Sequence, residues 1–454
     1  MGNEVKFVMA MSGLIISVIL LMYAETILVL KADIVSKKKW NIRFLCIILS
    51  LIAFCVFWLC NNHRFNFYNN YSYMAKALLE GHLDVELPAH LESVEYRGKQ
   101  YMHFAPGPAL LSIPFVAIWG IDGFNCAYLA MLLGACNLPL SVKVLSNMNV
   151  GKTVRDRMWL GLMLTFGTVH FFCASQGSSW FIGHVATLFF LLLSLCFLTE
   201  NEKACCNVKL FLSGLFFGLA VTCRLAALLG FVFMAGYLCL STKDRKEKVK
   251  RIFVFCCGAA VFGFLYMAYN FARYGSIMDM GYQLTYLKDY HREVYDKLQM
   301  ASIEQQPALL KQYQKACGGP LQIRFIKYNL YSVFCMLPQF QDTFPYVIPT
   351  MAGVAVTFTS PMLYCGVFAD RKQKITRVLA VATVLTAIPF LMNYGNGMAQ
   401  FGMRYSMDFT PYLWLLMSMA LTQKGNLKWW MKTGIAICIL INGWGTLYWT
   451  YFYT

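Results

Sequence analysis

Ser241-Thr-Lys-Asp-Arg-Lys-Glu-Lys-Val-Lys-Arg-Ile-Phe-Val-Phe-Cys-Cys-Gly-Ala-Ala-Val-Phe-Gly-Phe-Leu-Tyr-Met-Ala-Tyr-Asn-Phe271 sets six Lys/Arg directly against twenty residues that carry no charge. Twenty such residues are what a helix needs to cross a hydrocarbon core of ~30 Å. A basic block at one end reads as its cytoplasmic anchor. Runs of the same kind recur at 7–30, 43–60, 123–146, 159–175, 183–199, 209–223, 226–240, 346–368, 377–392, 406–422 and 433–451. With 252–271 they predict an all-α polytopic membrane protein of about 12 transmembrane helices. The 454 residues are 58% hydrophobic and 13% charged, against about 25% charged in a soluble domain. Open sheet would leave backbone groups unpaired in lipid, so the runs are helices. The alternating ten-residue pattern of a membrane barrel is absent.

The net charge of +17 is explained by topology rather than by nucleic acid. Six short loops (31–43, 143–158, 200–209, 241–251, 370–377 and 423–432) hold 24 of the 39 Lys/Arg. Placing them together on the cytoplasmic side puts both termini outside, in a multi-pass protein of the plasma membrane. The 17 cysteines fall mostly within apolar runs, where cysteine acts as a small hydrophobe. With no CxxC pair, the sequence predicts neither a disulfide framework nor a metal site built on cysteine. The run Phe7 to Leu30 is too long for a signal-peptide core and reads as a retained span. The run 209–240 is interrupted by Arg224 and reads as two short helices meeting there.

Two segments, 61–122 and 272–345, are too long to be simple connectors and fall outside in this topology. The first ends in Phe104-Ala-Pro-Gly-Pro-Ala-Leu-Leu-Ser-Ile-Pro-Phe-Val-Ala-Ile-Trp119, too short to span and expected to form a helix lying on the membrane. Pro106 and Pro108 suit its first turn. In the same loop Tyr71, Ala75, Leu78 and Leu79 keep helical spacing, and Gly81 ends that helix. The second loop carries a polar helical patch from Leu284 to Gln314.

Candidate chemistry lies in three places. The first loop gathers Arg64, Tyr71, several Asn and Tyr residues, then Glu80, His82, Asp84 and Glu86. A base, anion-binding groups and aromatic platforms beside a membrane suit glycosyl transfer from a lipid-linked sugar; a solvated loop with interfacial tyrosines is the plainer reading. Arg224 within apolar sequence is costly, and either binds a lipid phosphate or snorkels to headgroups. The glycine-rich segment Asn393 to Tyr405 allows close backbone approach to a ligand. It contains Gln400 and Arg404, and Arg404 stands four residues before Asp408, a spacing that fits a structural ion pair.

Tyr71-Ser-Tyr-Met-Ala-Lys-Ala-Leu-Leu-Glu-Gly81 and Phe104-Ala-Pro-Gly-Pro-Ala-Leu-Leu resemble the first outer loop of C-type (GT-C) membrane glycosyltransferases. The closer resemblance is to the bacterial branch related to protein mannosyltransferases and aminoarabinose transferases. Trp180-Phe-Ile-Gly-His-Val185, Gly214-Leu-Phe-Phe-Gly-Leu-Ala-Val-Thr-Cys-Arg224, Tyr269-Asn-Phe-Ala-Arg-Tyr-Gly-Ser276, Asn329-Leu-Tyr-Ser332 and Gln400-Phe-Gly-Met-Arg-Tyr405 continue it in order, over most of 43–410. The resemblance implies an inverting transfer of sugar from a polyprenyl-phosphate carrier to an extracytoplasmic glycan, lipid or protein. It leaves a divalent metal open. It also implies a GT-C-like core at 43–345, preceded by an extra span and basic loop at 1–42 and followed by C-terminal spans at 346–454. The substrate-binding residues expected are Arg224, Arg404, Gln400, Tyr71, His103 and Arg64. The family's usual carboxylate precedes the tyrosine matching Tyr71, but Phe65-Asn-Phe-Tyr-Asn-Asn70 has no acid. Asp84, with Glu86 beside it, is the nearest substitute as catalytic base. A lipid or lipid-linked-sugar flippase, or a non-catalytic partner of the same fold, are the other readings.

Overall fold

The computed structural model of the chain describes residues 2–35, 39–61, 63, 68–200 and 207–453. Its helices in chain order begin with α1 (Asn3–Val35), α2 (Lys39–Leu59), α3 (Asn70–Leu79), α4 (Gly107–Gly123), α5 (Cys126–Asn147), α6 (Val154–Phe166) and α7 (His170–Gln176). They continue with α8 (Ser179–Leu198), α9 (Asn207–Cys223), α10 (Phe231–Ser241), α11 (Arg245–Tyr274), α12 (Tyr282–Tyr290), α13 (Arg292–Met300) and α14 (Gln306–Cys317). The last are α15 (Ile326–Phe334), α16 (Val356–Thr359), α17 (Lys374–Met392), α18 (Thr410–Thr422) and α19 (Trp429–Phe452). Sheet is confined to two small hairpins, β1–β2 (Val94–Tyr96, Lys99–Tyr101) and β3–β4 (Gln339–Phe340, Val347–Ile348).

The chain is a polytopic helical membrane protein. Among the described residues six helices are each long and apolar enough to span, and a seventh span forms if α6 and α7, bent by 58°, are one broken helix. The remaining apolar helices are shorter, at 10–17 residues. Burial separates two kinds of span. In α8, 83% of the most apolar window is buried, whereas in α11 only 17% is. An apolar helix face left so bare is stable only against lipid. Helix α8 packs against α5 and α9, and α9 against α11. In that last pair Gly214 faces the Phe255 backbone carbonyl and Gly258 faces that of Phe211, each so close that a Cβ would collide. Gly214-Leu-Phe-Phe-Gly218 thus lets two backbones approach as small residues four apart do in membranes. Helix α1 packs against α19, with Phe7 edge-on to Phe452 at 5.3 Å between ring centroids.

The break expected within 209–240 is present: α9 ends at Cys223, Arg224 is extended (φ −153°, ψ 122°), and a 3-10 turn at Leu225–Gly230 leads into α10. The helix ending at Gly81 and the start of α4 at Pro106 also follow the sequence. The run 346–368 does not. It folds as strand β4, a turn, the single-turn α16 and a 3-10 helix at Pro361–Phe368. Pro349 and Pro361 interrupt the helical bonding that its hydropathy implied. The polar patch Leu284 to Gln314 is helical as expected, divided among α12, α13 and α14.

Both long loops meet at one end of the bundle. Val94, Tyr96 and Tyr101 of the hairpin form a small core with Leu284, Leu287, Tyr295 and Leu298 of α12 and α13. The join is tied by Lys288 Nζ donating to the Ser93 carbonyl at 2.7 Å and the Glu95 amide donating to the Tyr295 hydroxyl at 2.8 Å. This cap lies over the point where Arg224 breaks the α9–α10 run.

Candidate active site

At the break the Arg224 amide still donates to the Ala220 carbonyl at 3.0 Å, but its backbone is extended and its side chain reaches Asp408, the last residue of the 3-10 turn Arg404–Asp408. Nε donates to Oδ1 at 2.7 Å and Nη2 to Oδ2 at 2.8 Å, the two-pronged geometry that a guanidinium makes with a carboxylate. Asp408 is buried, and no bond from it to Arg404 accompanies the pair. The four-residue spacing of Arg404 and Asp408 is therefore not an ion pair. A 3-10 turn carries side chains four apart away from a common face, and the long-range partner Arg224 takes the acid instead.

Arg404 is held differently. Its Nη1 donates to Gln400 Oε1 at 3.0 Å and to the Met398 carbonyl at 3.2 Å. Gln400 is fixed in turn by its Nε2 donating to the carbonyls of Ala352 (2.8 Å) and Asn396 (2.9 Å). At Gly397 (φ +85°) a Cβ would come within 2.6 Å of Nη1, so the loop lies flat on the guanidinium only because glycine is there. Arg404 is 6% exposed, and among the described residues no carboxylate stands within ion-pair distance of it. The two arginines flank one ring: their guanidinium carbons lie 5.2 Å (Arg224) and 5.0 Å (Arg404) from the centroid of Tyr405. Phe390 stacks on that ring and His184 meets it edge-on, each at 5.6 Å.

Above this floor the cap contributes Glu92, His103 and Tyr282. His103 Nε2 stands 4.0 Å from Glu92 Oε2, and the His103 ring meets Tyr282 at 5.7 Å. Burial drives the His103 imidazole down to about 3, helped by Lys288 and Arg273. It is uncharged at neutral pH, so the contact with Glu92 is not an ion pair. Arg273 positions this corner: stacked on Tyr269 at 3.8 Å, it donates to the Met102 carbonyl at 2.8 Å. Desolvation is the largest influence on Glu92 and raises its carboxyl above the usual range, while a hydrogen bond from Trp180 and the charges of Arg404 and Lys288 pull the other way. Yet the Glu92 side chain keeps 49% of its surface open. Glu92 therefore stands at a partly open edge of the site, within the electrostatic reach of Arg404 and Lys288. Tyr282, 39% exposed and within the electrostatic reach of Arg224, Tyr405 and Asp408, borders the same site.

Of the residues expected from sequence, Arg224, Arg404, Gln400, Tyr71 and His103 come together here. The Tyr71 hydroxyl approaches Gly183 beside the Arg224 stem. Arg64 lies outside the described residues. Asp84 and Glu86 are placed elsewhere, in a surface hollow with Tyr73, Lys76, Glu80 and His82. Asp84 Oδ1 accepts from Lys99 Nζ at 2.9 Å, and that bond holds its carboxyl below the usual range. Such a carboxylate is a weak proton acceptor. Glu92, His184 and the Asp408 partner of Arg224 were not foreseen. Among the described residues no group of three or more His, Cys, Asp or Glu is placed to hold a metal ion.

Fold and site together define a multi-pass membrane protein whose loop-capped end gathers two arginines about one aromatic ring, with a partly exposed acid above them. No family model matches the chain, and no curated protein matches it. The structure is similar to that of ArnT from Cupriavidus metallidurans, solved bound to undecaprenyl phosphate, with a TM-score of 0.47 and 12% identity over 85% of this chain and 60% of that one. It is also similar to the oligosaccharyltransferase of Archaeoglobus fulgidus in its apo form, with a TM-score of 0.49 and 12% identity over 90% of this chain and 56% of that one. The chain thus spans less than two thirds of the length of either.

Proposed function

We propose that this protein is a glycosyltransferase that takes a sugar from a polyprenyl-phosphate carrier and passes it, with inversion, to an acceptor outside the cell. The observation that carries the reading is the recess itself, where the buried, acid-free Arg404 shares the Tyr405 ring with Arg224 and faces the field of Glu92. A buried cation without a counter-ion is a standing cost unless a ligand supplies the negative charge. A phosphate on an apolar tail is such a ligand, because the surrounding helices offer lipid-facing surface to the tail. The order of motifs from Tyr71 to Tyr405 supports the same class.

In this mechanism the guanidinium groups of Arg404 and Arg224 together hold the carrier phosphate. As the bond from the sugar's anomeric carbon to the phosphate oxygen breaks, charge grows on that oxygen, and the guanidinium donors stabilise it. Glu92 takes the proton of the acceptor hydroxyl as its oxygen attacks from the opposite face. Its raised carboxyl makes it a stronger base than an ordinary glutamate, and the hydrogen bond from Trp180 fixes its direction. Asp84 has neither the position nor the proton affinity for that role. Native mass spectrometry of the purified protein with added undecaprenyl phosphate tests the reading. One lipid should bind the wild type and be lost in Arg404→Met; equal binding to both would refute it.

A further inference from the structure

His184 is unused by the mechanism above, yet it stands at the centre of the floor. Its side chain is 1% exposed, and neither ring nitrogen has a hydrogen-bond partner. Nδ1 lies 3.8 Å from Asp408 Oδ1, just too far to bond. Asp408 meanwhile spends both oxygens on Arg224. Arg224, with 21% of its side chain exposed, is the open face of the pair toward the recess. An incoming phosphate and Asp408 therefore want the same guanidinium donors.

We propose that His184 is the alternative partner of Asp408: when the carrier phosphate takes Arg224, Asp408 turns onto a newly protonated His184, so that carrier binding takes up one proton. The proposal rests on the reading of the recess as a phosphate site. Without the exchange, phosphate binding would strand a buried carboxylate beside a second anion, which is strongly disfavoured. With it, Asp408 keeps a cationic partner a short side-chain rotation away. The groups facing His184 and Asp408 are Arg224 beyond α9, Arg404 and Tyr405 of the 3-10 turn, Tyr412 of α18 and Tyr282 of α12. Both arginines oppose an imidazolium while the site is empty, and the arriving phosphate supplies the charge that admits the proton. His184 acts here as a positioning residue, since it touches neither sugar nor phosphate.

Titration calorimetry with the methyl ester of undecaprenyl phosphate tests this, because a phosphate diester does not itself titrate near neutrality. Measured in two buffers of different ionisation heat, the wild type should take up about one proton per lipid, and its Kd should rise about ten-fold per pH unit above neutrality. His184→Gln should bind at least ten-fold more weakly with no proton uptake. Asp408→Asn, if it folds, should bind with no proton uptake and no pH dependence. Binding by the wild type without proton uptake, or uptake that persists in His184→Gln, overturns the exchange alone. Absence of binding by the wild type at any pH overturns both the exchange and the phosphate site.

Discussion

Arg224 and Arg404 stand about the same ring, yet their replacement by methionine should change stability by very different amounts. Arg224 is the partner of Asp408, whose side chain is 2% exposed, through bonds of 2.7 and 2.8 Å. Arg224→Met leaves that carboxylate buried and unpaired, a loss of roughly 3–5 kcal/mol. Arg404 is almost as buried and, among the described residues, has no acid partner; its guanidinium donates to one amide side chain and one carbonyl of its own loop. Arg404→Met removes an uncompensated charge, whose burial costs several kcal/mol, and loses the charged hydrogen bonds to Gln400 and the Met398 carbonyl, about 1.5–3 kcal/mol each, so the two contributions largely offset each other. The unfolding midpoint of Arg404→Met in detergent should equal or exceed that of the wild type, while that of Arg224→Met should fall well below it. Added undecaprenyl phosphate should raise the wild-type midpoint and leave that of Arg404→Met unchanged, since the ligand stabilises only what binds it. If Arg404→Met is destabilised as much as Arg224→Met, Arg404 is a structural cation and the phosphate assignment fails.

Other consequences are open to direct measurement. The transfer rate should rise with pH through the raised titration of Glu92, because the base acts only when ionised; Trp180→Phe removes a bond that favours the carboxylate and should push this acid limb to higher pH in a kcat/KM profile. Asp84→Asn should leave transfer and thermal midpoint nearly unchanged, since an exposed ion pair such as Asp84–Lys99 contributes little to stability; loss of transfer there would return the base to Asp84. Gly214→Leu would drive a side chain into the Phe255 carbonyl and should separate α9 from α11, seen as loss of folded, monodisperse protein in detergent. In intact cells an impermeant thiol reagent should fail to label a single cysteine at position 246, and labelling there would invert the proposed orientation.

The helical membrane class is legible because lipid demands long apolar runs, and some helix ends are legible where a charge or glycine stops them, whereas of about 12 expected spans six or seven of the described helices are long and apolar enough to cross. Arg224 and Gly81 are legible for that reason. The stretch 346–368 misleads because hydropathy does not register what Pro349 and Pro361 do to helical hydrogen bonding. The arginines, Gln400, Tyr71 and His103 stand out as polar groups in apolar or glycine-rich settings. Glu92 does not: it sits among other polar residues, and only the docking of hairpin β1–β2 on α12 and α13 turns it inward. Asp408 offers a neighbour four residues away in sequence, and only the tertiary break at Arg224 shows the real partner. Both failures concern contacts between residues far apart in the chain, which local spacing does not encode.

The central claim is that the recess transfers sugar, with Glu92 as the base. The most direct measurement is release of free polyprenyl phosphate by purified protein in proteoliposomes supplied with a panel of polyprenyl-phosphate sugars and an envelope extract as acceptor, followed by mass spectrometry. The wild type should release the carrier from at least one donor and pass its sugar to an acceptor, and Glu92→Gln should bind that donor normally yet release nothing. Release by Glu92→Gln at the wild-type rate would contradict the account.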